Sequence, residues 1–120
     1  MTPEIKETLD SLQVDLEKTL PRFLNKEDFY LSMLKRFPDD DNYEKLRESL
    51  KTNEYEEIFK HAHSLKGLSA NLGLSYFYEA VAALTDSVRN EPFDSAEISE
   101  LGEKTIARYG ETVELISKLL

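Results

Sequence analysis

His63, Lys66 and Gly67 fall three and four residues apart within the run His61-Ala62-His63-Ser64-Leu65-Lys66-Gly67-Leu68-Ser69-Ala70-Asn71-Leu72-Gly73. Residues at those spacings are surface neighbours on a helix. An imidazole, an ammonium and the bare backbone of a glycine would therefore share one small area. A histidine that accepts a phosphoryl group needs that combination: a nucleophilic ring nitrogen, a cation beside the phosphate oxygens, and no side chain in their way. Histidine keeps a neutral, nucleophilic fraction near pH 7. The residue set points to a carrier of phosphoryl groups, with His63 as acceptor, Lys66 neutralising charge and Gly67 leaving room.

The second histidine separates from the first on a helical wheel. At about 100° per residue, Phe59, Lys66, Gly67 and Ala70 lie within about 60° of His63. Ile58, Leu65, Leu68, Ser69 and Leu72 gather on the opposite side, and His61 falls among them. His61 is therefore expected in the core, packed with a hydrogen-bond partner, and His63 at the surface. A mid-helix glycine costs about 1 kcal/mol against alanine, so Gly67 calls for a reason. Room beside a phosphoimidazole is one, and close packing of helices is the other.

Other chemistries find no support. His61 and His63 diverge by about 160° on a helix and cannot share a metal ion, so no metal site is expected. No nucleophile-elbow pattern suggests a hydrolase. The four glycines form neither GxxxxGK[ST] nor GxGxxG, so ATP has no recognisable seat and no cofactor is expected. Without a nucleotide site the chain is expected to carry phosphate, not to act as an enzyme, and to receive it from another protein. The net charge of −9 has no compensating basic stripe, which disfavours nucleic acid and anionic membrane as partners. No run approaches the roughly 20 apolar residues of a membrane span, and the N-terminus lacks a signal-peptide pattern. Cysteine is absent, which excludes disulfides and thiolate metal sites. A cytoplasmic monomer is the expectation.

The elements that must hold this site all read as helix. Thr2-Pro3 is a helix start, followed by Ile5, Leu9, Leu12, Leu16 and Leu20, with a break expected near Ser11 or Pro21. Asn25 and Asp28 open a segment carrying Phe29, Tyr30, Met33, Leu34 and Phe37, which Pro38 and three aspartates interrupt. Asp41 with Glu44, and Asn53 with Glu56, match capping boxes. The second would start the motif helix, over about residues 54–72, with Gly73 as its left-handed end. Ser75 is expected to cap the next helix, through Phe77, Val81, Leu84 and Val88. Asp94 with Glu97 would cap the last, through Ile98, Leu101, Ile106, Tyr109, Val113 and Ile116, with Gly102 and Gly110 weakening it locally. The pattern predicts an all-α fold over residues 1–120, a single domain: an antiparallel four-helix bundle with one or two additional N-terminal helices.

The stretch His63-Ser-Leu-Lys66-Gly67, with Ser69, Ala70, Leu72 and Gly73 behind it, resembles the motif of the histidine-containing phosphotransfer (HPt) family. Asp28 to Phe37 is similar to the family's helix before the motif, and the resemblance spans about residues 10 to 90. It implies a two-component phosphorelay. His63 would take a phosphoryl group from a receiver-domain aspartyl phosphate and pass it to another receiver, of a response regulator or hybrid histidine kinase. The receiver would bring its own metal ion and carboxylates. Ser69 would help position the helix, and Arg89, on a stripe with Tyr78, Ala82 and Thr85, would reach the site. The receiver would dock on an apolar patch made by the N-terminal helix and the helix of Phe29 and Met33. Two other readings stay open: a phosphoacceptor domain of a larger histidine kinase, and an adaptor bundle that carries no phosphate. The Met1 start and lack of a linker favour a free-standing protein.

Overall fold

The computed structural model describes residues 1–119, and every regular element among them is helical. Helix α1 (Pro3–Ser11) begins as expected, with the Thr2 hydroxyl accepting the Ile5 N–H at 3.2 Å. The chain breaks after Ser11, where Gln13 takes a left-handed φ of 60°. A single turn, α2 (Leu16–Thr19), leads into a 3-10 turn over Leu20–Phe23. Left-handed Leu24 and Asn25 then redirect the chain into α3 (Glu27–Leu34). A second 3-10 turn, Phe37–Asp39, precedes α4 (Asn42–Thr52), α5 (Tyr55–Leu72), α6 (Ser75–Ser87) and α7 (Ser95–Ser117).

Three expected caps do not form, for reasons of backbone geometry. Asp41 sits in a helical conformation, and its carboxylate caps nothing. Asp40 acts instead, accepting from the backbone N–H and side-chain amide of Asn42 at 3.0 Å each. Asn53 adopts φ 54° and ends α4, which leaves Glu54 to open α5 without a side-chain cap. Gly73 ends α5 at φ 74°, as the sequence predicts, but Ser75 then enters α6 as a helical residue, with Leu74 before it. At α7 the expectation holds: the Asp94 carboxylate accepts the Glu97 N–H at 3.1 Å.

Helix α5 packs between α4 and α6, α6 packs on α7, and α7 returns to α4. Leu46, Ile58, Leu65, Phe77, Leu84, Ile98 and Ile116 fill the space between them. Gly102 is a contact point: a Cβ there would stand 2.9 Å from Cδ2 of Leu50, so α4 and α7 meet closely at this level.

The N-terminal segment closes the far end of α5. The last four carbonyls of a helix lack intrahelical donors. Tyr30 donates its hydroxyl to the Leu72 carbonyl at 2.7 Å, and burial pushes that hydroxyl's pKa above its ordinary value. The Arg22 guanidinium donates to the Ala70 and Asn71 carbonyls at 2.8 and 3.2 Å. A cation at a helix C-terminus also suits the helix dipole. The helix that carries the motif is thus fixed on both flanks and at its end.

Candidate functional site

His63 lies exposed near the middle of α5. The hydrogen bonds among the described residues include none to its ring. The ring of Phe59, one turn earlier, stacks on the imidazole with centroids 5.5 Å apart and planes 10° from parallel. Lys66 is half-buried. Among the described residues, Lys45, Lys51 and Lys104 form ion pairs, whereas Lys60 and Lys66, on either side of His63, form none.

Gly67 distinguishes the two explanations for a glycine at that place. A Cβ built there meets nothing within 4 Å. Close helix packing is therefore not its reason, in contrast to Gly102. The backbone at Gly67 borders open space on the His63 side of α5.

Ser69 is fully buried and donates its hydroxyl to the Lys66 carbonyl at 3.1 Å. It stays within its own helix and on the core side, away from the imidazole. Arg89 follows the end of α6, with its guanidinium carbon 5.3 Å from the Phe59 ring centroid and a 3.4 Å ion pair to Asp86. It reaches the ring beside His63. Thr85, on that stripe, is fully buried and bonded to the Val81 carbonyl.

His61 occupies the opposite situation, as the helical wheel predicts. It is 6% exposed, with Nδ1 2.9 Å from Asn42 Oδ1 and Nε2 3.2 Å from Glu57 Oε2. Because the Asn42 amide nitrogen is directed at Asp40, its oxygen faces the histidine. Both ring nitrogens of His61 are occupied. Among the described residues no cluster of three or more His, Cys, Asp or Glu side chains could hold a metal ion, and no helix is long and apolar enough to cross a membrane.

The expected apolar patch is partly reassigned. Leu24 (71% exposed) and Phe29 (42%) are the large hydrophobic residues left exposed among those described. Helix α1 adds no such residue, because Leu9 faces the core and Ile5 is half-covered. The patch belongs to the left-handed turn after Phe23 and to α3, where Phe29 meets Phe23 edge to face at 5.7 Å. Arg22 ties that turn to Ala70, which lies about 10 Å along α5 from His63.

An all-helical core, a central helix with an exposed histidine, and a lysine and glycine one turn beyond it define the class of helical histidine carriers. The family model described as the Hpt domain matches residues 39–112, more than half of the chain, and the protein belongs to that family. Hpt domains are histidine phosphotransfer modules of two-component signalling and interact with receiver domains. No curated protein and no solved structure matches the chain.

Proposed function

We propose that His63 is the phosphoryl acceptor of this Hpt domain, relaying phosphate between two receiver domains. The observation that carries the reading is the contrast on α5. His63 is exposed with no hydrogen bond to its ring among the described residues, whereas both nitrogens of His61 are engaged. A lone pair on the neutral His63 ring attacks the phosphorus of an aspartyl phosphate. The N–P bond forms as the O–P bond breaks, and the donor carboxylate leaves with the bonding electrons. In the second transfer a carboxylate of the next receiver attacks, and the N–P electrons return to the ring.

Such a transfer depends on in-line positioning and charge neutralisation more than on covalent chemistry in the carrier. Lys66 supplies the cation for the equatorial oxygens, and Gly67 leaves the space they occupy. Ser69 braces the helix from the core side through the Lys66 carbonyl. Arg89 acts beside the site and not on the phosphate. Leu24 and Phe29, with Met33 behind them, form the apolar landing for the receiver. Exposed apolar patches of this kind mark partner surfaces. The whole chain acts as one carrier domain, cytoplasmic and monomeric, without a catalytic activity of its own.

The test is to incubate the protein and its His63→Gln variant with a phosphorylated receiver domain and assay acid-labile phosphate on the chain. Label on the wild type that vanishes in the variant is expected. Label that persists in the variant would assign the phosphate to another residue.

A further inference from the structure

The ring that flanks the acceptor has no part in the charge and space argument above, yet it stacks on His63. Phe59 stacks on the imidazole at 5.5 Å and 10°, and the Arg89 guanidinium covers the same Phe59 ring while Asp86 holds it at 3.4 Å. We infer that Phe59 is a positioning residue for phosphoryl transfer, fixing the plane of the His63 imidazole so that its lone pair points at the incoming phosphorus. The inference rests on the assignment of His63 as acceptor.

The lone pair of an imidazole nitrogen lies in the plane of the ring, so the ring's orientation sets the direction of attack. Productive geometry tolerates a deviation of about 10–20°. An exposed histidine on a helix has about two accessible χ1 wells and two broad χ2 orientations, or about four ring positions. Helical side chains lean toward the N-terminus, which brings the His63 ring over Phe59. Stacking selects one of those positions. Near-parallel planes with centroids 5.5 Å apart mean offset rings, so Phe59 flanks one side of the imidazole. Arg89 steadies Phe59 from the end of α6, so two helices define where the nucleophile points.

Phe59 is half-buried at the rim of the core, and a purely packing role is the alternative. Leucine would serve packing as well as phenylalanine, but it cannot stack. The experiment therefore compares Phe59→Ala, Phe59→Leu and Phe59→Tyr with the wild type in single-turnover transfer from a phosphorylated receiver domain, alongside the His63 ring-proton resonances by NMR. With about four ring positions to share, the alanine and leucine variants should transfer roughly three- to fivefold more slowly at saturating receiver. Tyrosine should restore the rate, and the receiver concentration giving half the maximal rate should not move. The His63 resonances should shift in the alanine and leucine variants, where the ring current of Phe59 is gone, and stay in place with tyrosine. Wild-type transfer by the leucine variant, a loss seen wholly in the half-saturating concentration, or unmoved His63 resonances would each overturn the inference. An unlabelled wild type would instead overturn the acceptor assignment and the positioning role with it, while the resonances still report whether the rings stack.

Discussion

Two imidazoles stand two residues apart on one helix and live in different chemical worlds. His61 is buried against α4, with Asn42 on one nitrogen and Glu57 on the other. His63 is exposed, stacked on Phe59, and its ring takes part in no hydrogen bond among the described residues. Nothing in the residue type separates them. What differs is the angle at which the helix delivers each ring, and whether a neighbouring helix occupies its nitrogens. A histidine whose nitrogens both hold partners braces the fold. One whose nitrogens are free, beside a cation and an open backbone, is available to a phosphorus atom.

Exchanging the two losses gives the widest separation. His63→Gln should abolish acid-labile phosphate on the chain and leave stability within about 0.5 kcal/mol, as for most surface substitutions. His61→Ala should do the reverse. Removing a buried ring and leaving Asn42 without its partner should cost about 1–3 kcal/mol, read by urea denaturation, while the folded fraction still takes label. If His61→Ala lost its label while fully folded, the division between the two rings would fail.

Lys66→Ala should follow, with transfer slowed about tenfold, equivalent to about 1.4 kcal/mol, and an unchanged melting curve. A cation worth far more in a closed site is discounted here because water screens a half-exposed ammonium. Lys45→Ala is the control, since that lysine, on α4, pairs with Asp41 just before the helix. Equal transfer rates in the two variants would remove Lys66 from the site.

The part of this arrangement that was legible in the sequence depends on period alone. Residue spacing placed His61 inside and His63 outside, and predicted a motif helix that begins near residue 54 and ends at left-handed Gly73. Features that depend on where one helix meets another were not legible. The capping pattern at Asn53 predicts a helix start, but the same residue is needed in a left-handed conformation to end α4. The partner of His61, Asn42, lies 19 residues away, and no local pattern links them. Phe59 was visible as an i, i+4 neighbour of His63. That Arg89 settles on Phe59 follows only from how α6 ends beside α5, whereas its pair with Asp86 is a local i, i+3 spacing.

The smallest effects come from two glycines that look alike in sequence, each inside a helix. At Gly67 a Cβ meets nothing within 4 Å, whereas at Gly102 it would press on Leu50 at 2.9 Å. Alanine at an unobstructed helical position should therefore gain about 0.5–1 kcal/mol of stability by restricting the unfolded chain and favouring the helix. Alanine at Gly102 must first displace the Leu50 methyls, the far end of a half-buried side chain, and that shift should offset much of the same propensity gain. Thermal or denaturant unfolding should show Gly67→Ala above the wild type and Gly102→Ala below Gly67→Ala. Transfer from a phosphorylated receiver should run the other way, slowed in the more stable variant and unchanged in the folded fraction of the less stable one. Gly110, inside α7, borders equally open space, so it is the transfer rate, and not the open space alone, that ties Gly67 to the phosphoryl group. If Gly67→Ala were both more stable and as fast as the wild type, that space would not belong to the phosphoryl group.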